Sequence, residues 1–370
     1  MIVGILKEIK VEENRVCMTP AGVEVMIQNG HAVLVEKTAG IGSGFEDQAF
    51  IDAGAEMIET PKEIFDRSDM VMHVKEPQPS EYGLIRQDQI VFTYLHLAAD
   101  EQQTRGLIES NAICIAYETI QKQDGSLPLL TPMSEVAGRM AIQQGAKYLE
   151  MAQGGHGVLL GGVPGVDPGN VVVIGGGIVG INAAKMACGL GAKVYILDMN
   201  LDRLRYLSDV MPANCFNLYS SPATLRELIQ RADVVVGAVL VTGAKAPKLI
   251  TREMLKTMKP GAVLVDVAID QGGCFETSKA TTHSDPIYVV DGVVHYCVAN
   301  MPGAVPRTST MALTNATLPY AVEIANKGWK KAMQESREIK LGANVINGKV
   351  TYQAVAEAFD LGYTPIDNLL

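Results

Sequence analysis

Apolar runs of five to eight residues alternate with segments of helical period along almost the whole chain. A first series of runs occupies residues 2–6, 31–37, 70–75, 90–96 and 112–118. A second series occupies residues 170–176, 192–198, 213–219, 232–239, 262–268 and 293–300. Continuous apolar runs separated by helices are typical of parallel strands buried on both faces. The pattern therefore predicts an α/β fold of two doubly wound, Rossmann-like domains.

A helix is predicted between the two series, over residues 134–153. Ser134 is the expected N-cap, with Glu135 in the first turn. The pattern becomes helical again from about 309 to 341, without a sheet of its own, and we expect this tail to pack on the first domain. The predicted organisation is a discontinuous domain of residues 1–128 and 307–370, and a second domain of residues 129–306.

Composition excludes several classes of protein. The length of 370 residues suggests two domains, and 48% hydrophobic residues suffice for packed cores. A net charge of −10 disfavours binding to nucleic-acid phosphates. We expect no signal peptide and no membrane helix, because no apolar stretch reaches roughly 18 residues. Six scattered cysteines without a CxxC pair predict free thiols in a reducing cytoplasm.

A glycine motif is the most specific signal in the chain. Gly175, Gly177 and Gly180 follow an apolar run and open a helical segment, and Asp198 ends the next run, 23 residues after Gly175. The first glycine permits a tight turn, the second lets a pyrophosphate approach the backbone, and the third lets the helix pack closely. The free N–H groups of the helix N-terminus then face the phosphates. The motif predicts a dinucleotide site.

The acidic residue favours NAD over NADP. Asp198 would accept hydrogen bonds from the ribose hydroxyls and repel a 2′-phosphate. Arg203 and Arg205 keep NADP open as the alternative. The glycine-rich residues 40–47 open no clear βαβ unit and are predicted to form a loop.

Five segments resemble the alanine dehydrogenase and transhydrogenase family, in the family's own order. They are residues 4–23, 74–77, 93–98, 171–198 and 293–310. The resemblance covers essentially the whole chain. It implies oxidative deamination of L-alanine to pyruvate and ammonium, with NAD accepting a hydride. It also implies a homohexamer and two domains separated by a cleft that closes over the ligands.

The set of cofactor-binding residues expected on this basis combines the glycine motif with positions after other strands. It consists of Ser134, Gly175, Gly177, Val179, Gly180, Asp198, Arg203, Ser220, Val239, Leu240, Asp270, Val298, Asn300 and Met301. The six histidines are dispersed, without an HxxxH or His/Cys pairing, so no metal site is predicted.

Two cations are candidates for holding the carboxylate of an amino acid. Arg15 lies in the loop after the first strand, where a doubly wound domain binds its ligands, and a guanidinium can clasp a carboxylate with two hydrogen bonds. Lys75 ends a buried run and keeps its charge only near a partner or an anionic ligand. The structural alternatives are a surface arginine at position 15 and a lysine at position 75 that extends to solvent or pairs with Glu76.

The acid/base candidates are His96 and Asp270. Histidine titrates near neutral pH, and His96 ends the run next to the one that carries Lys75. Asp270 follows a strand of the second series and could position water or the amine. Asp266, inside that strand, competes for this role, and the family pattern favours Asp270. His73 has no family match and is expected to be structural.

Two other functions stay open. The first is the nucleotide-binding subunit of a proton-translocating transhydrogenase, whose relatives carry Arg, Gln and Asp in the loop that corresponds to residues 127–138, where this chain has none of the three. The second is a related amino-acid dehydrogenase, such as one that forms lysine from saccharopine. The expected partners are therefore a small-molecule substrate and further copies of the chain, and neither nucleic acid nor membrane.

Overall fold

A computed structural model describes residues 1–239 and 247–370 of the chain. The chain divides into two compact units. One unit consists of Met1–Met133 and Val305–Leu370, and the other of Ser134–Ala304. The sequence prediction set the divisions after residues 128 and 306.

The strands in chain order are β1 (Ile2–Ile5), β2 (Ala32–Glu36), β3 (Glu56–Ile58), β4 (Met70–Met72), β5 (Ile90–Thr93), β6 (Ile113–Ala116), β7 (Asn170–Ile174), β8 (Lys193–Asp198), β9 (Cys215–Tyr219), β10 (Val234–Gly237), β11 (Val263–Asp266), β12 (Ile287–Val290), β13 (Val293–Tyr296), β14 (Ala343–Ile346) and β15 (Lys349–Val350). The helices are α1 (Pro20–Gln28), α2 (Asp47–Asp52), α3 (Pro61–Arg67), α4 (Glu101–Glu109), α5 (Thr131–Tyr148), α6 (Ile178–Gly189), α7 (Leu201–Val210), α8 (Pro222–Arg231), α9 (Arg252–Leu255), α10 (Pro306–Lys327), α11 (Trp329–Glu335), α12 (Arg337–Leu341) and α13 (Gln353–Ala358).

The first unit holds a sheet with the described order β15-β14-β6-β5-β4-β1-β2-β3. The six strands β1 to β6 are parallel and read 3-2-1-4-5-6 across the sheet, the doubly wound order. The order reverses between β1 and β4. Strands β14 and β15 extend the sheet beyond β6 in antiparallel fashion. The tail thus forms no sheet of its own and contributes β14 and β15 to the sheet of the first unit, although these two strands were not predicted.

The second unit repeats the same order. Its sheet reads β12-β13-β11-β10-β7-β8-β9, and without β12 the parallel strands again run 3-2-1-4-5-6. The order reverses between β7 and β10. Strand β12 pairs antiparallel with β13 and was not predicted.

Both sheets are covered on their two faces. Every residue of β4, β5, β6, β10 and β11 is buried. Along β7, Val171 and Val173 join one apolar core while Val172 and Ile174 join another. Successive side chains of a strand point to opposite faces, so helices must cover each face separately. The predicted class, two doubly wound α/β domains, is confirmed.

The helix between the two series begins earlier than predicted. It starts at Thr131 and ends at Tyr148, so Ser134 lies in its first turn and is not the N-cap. Pro132 is tolerated at the second position because the N–H groups of a first turn have no intrahelical acceptor. In the tail, helix α10 starts at Pro306 and ends before Gly328, whose φ of 74° a helix does not accommodate.

The glycine-rich residues 40–47 form a short 3₁₀ turn, Ile41–Ser43, before α2 begins at Asp47. The Arg307 guanidinium donates a hydrogen bond to the Gly44 carbonyl at 2.9 Å, which ties this loop to α10. None of the helices in the described ranges combines the length and the apolar character needed to cross a membrane.

Candidate active site

Three predicted substrate-site residues follow neighbouring strands of the first sheet. Arg15 lies in the loop after β1, Lys75 follows β4 and His96 follows β5. These strands are adjacent and parallel, so their carboxyl ends lie at one edge, where open α/β sheets bind ligands. Strand β4 ends at Met72 and β5 at Thr93, so Lys75 and His96 each stand three residues beyond a strand end, and not on the strand as predicted.

Arg15 is buried against a carboxylate. Its Nη2 lies 2.6 Å from Oε2 of Glu13, its Nε lies 2.7 Å from Oε1, and Nη1 contacts the Met133 sulfur at 3.1 Å. Burial alone would lower the pKa of Arg15, but the hydrogen bond and charge of Glu13, with the nearby Tyr94 and Glu8, raise it. The guanidinium therefore stays charged, and Glu13 fixes its plane.

The backbone around Lys75 is held by a second buried glutamate. Glu8 accepts hydrogen bonds from the N–H groups of Val74, at 2.6 Å, and Lys75, at 3.3 Å. The Lys75 carbonyl accepts a hydrogen bond from the Thr93 hydroxyl at 2.8 Å, which joins the ends of β4 and β5. Because these N–H groups bond to a side chain and not to a neighbouring strand, β4 stops before Lys75.

His96 adopts a left-handed conformation, with φ of 51° and ψ of 36°. Its N–H donates to Oε1 of Glu118 at 2.6 Å, and the N–H of Leu95 donates to both Glu118 oxygens at 3.2 Å. Its ring stacks on Tyr94, with 5.8 Å between centroids and 6° between planes. The side chain is 49% exposed. The imidazole is thus accessible while its backbone is fixed.

Tyr94 stacks on His96 and lies within the electrostatic reach of Arg15. Its hydroxyl donates to the Leu129 carbonyl at 2.5 Å, its ring supports His96, and its surroundings include the charge of Arg15. Burial raises the pKa of Tyr94 well above its ordinary value, although Arg15 lowers it. The phenol therefore stays protonated at neutral pH.

His73, two residues before Lys75 in the chain, lies in a cluster of carboxylates. Its Nδ1 is 3.5 Å from Glu8 and its Nε2 is 3.6 Å from Glu81, and all three side chains are buried. Burial alone would lower the pKa of His73, but Glu8, Glu81 and Glu36 raise it. The structure places His73 inside the core, consistent with the structural role expected of it.

Sequence reasoning did not select Glu8, Tyr94 or Glu118. Glu118 ends the apolar run 112–118 just as Lys75 and His96 end theirs, so the same signal was present. Glu8 and Tyr94 carried no comparable signal, because neither residue ends an apolar run.

In the second unit, the three motif glycines have distinct surroundings. Gly175 has a φ of 104°, and a Cβ there would lie 2.6 Å from the Ala238 carbonyl oxygen. A Cβ at Gly180 would overlap the Gly175 carbonyl, whereas a Cβ at Gly177 would meet only open space. Gly177 is also the N-cap of α6 and provides no side-chain cap. The helix N-terminus therefore offers N–H groups at an open surface, the arrangement that binds phosphates.

Asp198 ends β8 beside this motif. Its Oδ2 accepts from the Gly176 N–H and its Oδ1 from the Asn200 N–H, each at 2.8 Å. Of the two arginines that left NADP open, Arg203 donates to the Gly176 carbonyl, and Arg205 pairs with the exposed Asp202 at 2.5 Å.

The remaining predicted cofactor residues follow the other parallel strands. Ser220 follows β9 and donates its N–H to the Asp198 carbonyl at 2.9 Å. Val239 follows β10, and its Cγ2 would be 3.2 Å from a Cβ at Gly175. Val179 lies in the first turn of α6, Ser134 in the first turn of α5, Val298, Asn300 and Met301 follow β13, and Leu240 lies outside the described residues.

The two aspartates that competed for one role have different environments. Asp266 is fully buried, and its carboxylate accepts from the N–H groups of Ala268, at 3.1 Å, and Cys274, at 2.9 Å, and from the Ser278 hydroxyl. Asp270 is exposed, in the 3₁₀ turn Ile269–Gln271 after β11. Asp266 is thus committed to the loop that follows it, and Asp270 is accessible.

Within residues 1–239 and 247–370, no group of three or more His, Cys, Asp or Glu side chains is arranged to hold a metal ion.

Comparison with known proteins gives full-length matches. Residues 4–137 match the family described as alanine dehydrogenase/PNT, N-terminal domain, and residues 141–353 match its C-terminal domain. The chain is 57% identical to an alanine dehydrogenase of Methanococcus maripaludis over 371 aligned residues, with 100% of both chains covered. A solved L-alanine dehydrogenase has a TM-score of 0.94 and 50% identity, over 97% of this chain and 99% of that one.

A transhydrogenase structure from Sinorhizobium meliloti has a TM-score of 0.82 at 24% identity, over 96% of this chain and 100% of that one, which shows a shared fold alone. The two family domains together span most of the sequence, in the order found here. This chain belongs to the alanine dehydrogenase/PNT family.

Proposed function

We propose that this protein is an NAD-dependent alanine dehydrogenase, which interconverts L-alanine with pyruvate and ammonium. The observation that carries the proposal is the placement of Lys75 and His96 beyond the ends of adjacent strands in a chain of this family. An amino-acid substrate needs a cation for its carboxylate, and its deamination needs a group that accepts and returns protons. A lysine and a histidine at one sheet edge supply both.

The cofactor site fits a nicotinamide dinucleotide, and we propose NAD specifically. The open side of Gly177 and the uncapped N-terminus of α6 suit a pyrophosphate. Asp198 suits a ribose diol and disfavours a 2′-phosphate beside its charge. When bound, NAD supplies the acceptor for the hydride that leaves the substrate carbon.

The chain's own residues carry the remaining chemistry in this proposal. Arg15 and Lys75 hold the substrate carboxylate and, in the keto acid, the carbonyl oxygen. Loss of a hydride leaves an iminium carbon, to which water adds before ammonia leaves. His96 accepts and returns the protons of these steps, the role that a positioned imidazole commonly has as general acid and base. Asp270 orients the water or the amine.

An assay of NADH formation tests the proposal. Purified protein and NAD would be offered L-alanine, D-alanine, glycine, L-serine and L-lysine in separate reactions. We expect L-alanine to be oxidised fastest, and pyruvate with ammonium to reverse the reaction. Faster oxidation of another amino acid would reassign the enzyme to a related dehydrogenase, and no oxidation of any of them would contradict the proposed activity.

We further propose a homohexamer in the cytoplasm. The cytoplasmic assignment is supported by the six cysteines, all buried and unbridged. Self-association is supported by family resemblance and by four apolar side chains that are about half exposed or more: Leu159, Val163, Val166 and Leu190. A mass of six chains by light scattering is the expected result, and a monomeric mass would contradict it.

A further inference from the structure

Glu118 has no part in the proposed chemistry, yet it contacts the residue that carries it. It follows β6, which pairs with β5 in the sheet, and lies in the 3₁₀ turn Tyr117–Thr119. Its side chain is only 13% exposed. A carboxylate withdrawn from water in this way requires hydrogen-bond donors.

The donors are the two N–H groups that form the turn at His96. The His96 N–H lies 2.6 Å from Oε1, and the Leu95 N–H lies 3.2 Å from each carboxylate oxygen. Hydrogen bonds to an ionised acceptor are stronger than neutral ones. Glu118 therefore accepts hydrogen bonds from two N–H groups just beyond the end of β5.

This turn has an unfavourable backbone conformation. His96 has φ of 51° and ψ of 36°, the left-handed region that residues with a Cβ seldom adopt. Such conformations persist only where surrounding contacts impose them, and they cluster at functional sites. The left-handed turn directs the imidazole onto the face of Tyr94. The imidazole Nδ1 is 3.9 Å from Glu118, beyond hydrogen-bond distance, so the carboxylate acts on the backbone of His96.

We propose that Glu118 is a positioning residue for His96: its carboxylate imposes the left-handed turn and thereby fixes where the imidazole lies. The inference rests on the proposed function, in which His96 moves the protons. Glu8 provides a matched comparison, because it accepts the Val74 and Lys75 N–H groups in the same manner at the neighbouring strand end.

Glu118→Gln tests this role, because the amide preserves size but removes the charge, and its NH₂ group faces the Leu95 N–H when its oxygen accepts from the His96 N–H. We expect turnover to fall about 10- to 100-fold, since a displacement of roughly 1 Å costs up to that factor. The KM for pyruvate and the affinity for NADH should change less than about threefold. Glu118→Asp keeps the charge, so turnover should fall less in this variant than in Glu118→Gln. If Glu118→Gln does not fold, Glu118→Asp is the variant to measure.

A double-mutant cycle separates positioning from general damage. In a His96→Ala background, Glu118→Gln should change the residual turnover less than about twofold, because no imidazole remains to be positioned. Glu8→Gln should lower turnover by the same factor in the wild-type and His96→Ala backgrounds, because Glu8 acts at Lys75. If Glu118→Gln also kept its full effect without His96, or left wild-type turnover in a folded protein, the proposal would be wrong.

A crystal structure of Glu118→Gln gives a readout independent of activity. We expect the His96 ring to leave its stacked position on Tyr94 by roughly 1 Å or more. An unmoved ring would overturn the positioning role even if the enzyme oxidises L-alanine. A displaced ring in a protein without that activity would instead count against the proposed function alone.

Discussion

The two sheets share one strand order but present different chemistry at their carboxyl edges. In the first unit β1, β4 and β5 lead to Arg15, Lys75 and His96, which are charged or titratable. In the second unit β7 leads to glycines and an uncapped helix N-terminus. One edge presents side chains near turns that carboxylates hold in place, and the other presents backbone N–H groups. The same topology therefore supports either chemistry, and local residues decide which.

The difference teaches how a side-chain site depends on remote support. A phosphate-binding turn is complete within six residues, because it needs backbone donors and the absence of side chains. His96 and Lys75 need Glu118 and Glu8, which lie 22 and 67 positions away. Changes at the first edge should therefore impair turnover, and changes at the second should impair cofactor binding.

The largest effect should come from His96→Ala. We expect turnover to fall about 1,000-fold in both directions, within the range that general acid–base catalysis contributes. The dissociation constant for NADH, measured by fluorescence, should change less than about twofold. A folded variant with near wild-type turnover would remove His96 from the mechanism and leave Asp270 as the leading acid/base.

Lys75→Met should have the next largest effect. Loss of a charged hydrogen bond to the substrate should lower kcat/KM for pyruvate about 100-fold, the equivalent of ~3 kcal/mol. Affinity for NADH should be retained, and an equal loss of that affinity would mean that Lys75 is misplaced in this scheme. Arg15 is a poorer target for substitution, because its removal leaves Glu13 as a buried, uncompensated charge.

Two glycine substitutions probe the edge of the second unit. Gly177→Ala should fold normally, because its Cβ meets only open space, yet weaken NADH binding about tenfold by obstructing the pyrophosphate. Gly180→Ala should lower the melting temperature, because overpacking against the Gly175 carbonyl costs about 1–3 kcal/mol. Equal melting temperatures for the two variants would contradict this division of roles.

Asp198→Gly should change cofactor choice rather than turnover of the substrate. Removal of the carboxylate should improve the use of NADP relative to NAD about fivefold, or ~1 kcal/mol. Affinity for both cofactors should also fall, because Asp198 holds the Gly176 and Asn200 N–H groups. The ratio of kcat/KM values is the measurement, and an unchanged ratio would exclude Asp198 from selectivity.

The smallest effect is a pH dependence of stability that differs between the units. In the first unit the pKa of His73 is raised by carboxylates above its ordinary 6.5. Its contribution to folding is present below pH 6.5 and is lost as pH rises through the folded-state pKa. In the second unit burial lowers the pKa of His295 below 6.5, so stability falls as pH drops below that value.

Urea unfolding from pH 5 to 9 measures both slopes. The stability advantage of wild type over His73→Gln should be largest below pH 6.5 and shrink above it, whereas wild type should lose stability relative to His295→Gln below pH 6.5. Difference curves that are flat, or that develop in the same range, would contradict the assigned pKa shifts.

Much of the fold was predictable, and the omissions have physical reasons. The long buried runs predicted eleven of the fifteen described strands; the three-residue β3 was missed, and so were the hairpins that add β12, β14 and β15. Asn347–Gly348 joins β14 to β15 and Asp291–Gly292 joins β12 to β13, and all four residues have positive φ. Asn-Gly and Asp-Gly are the preferred pairs for two-residue hairpin turns, so the signal was present and was not used.

The two sheet edges differed in how much of each could be predicted from the sequence. The glycine motif was predictable because its recognition chemistry is contiguous in sequence. Glu118 carried the same run-end signal as His96, but its contact with His96 was not predictable, nor was that of Glu8 with Lys75, because these contacts form only through the folded sheet. The ends of β4 and β5 were predicted too late in the chain for the same reason. The distant carboxylates accept hydrogen bonds from N–H groups that would otherwise have continued the strands.

Completion of the first sheet by β14 has a consequence for synthesis of the chain. Until Ala343 leaves the ribosome, β6 is an edge strand whose four residues are all destined for burial. Proteins begin to fold from the N-terminus as they are made, so this edge stays unpaired while more than 220 further residues are added. An unpaired apolar edge recruits strands from other chains. Prematurely terminated products should therefore aggregate, and chaperones that bind exposed β-edges should be needed most during this interval.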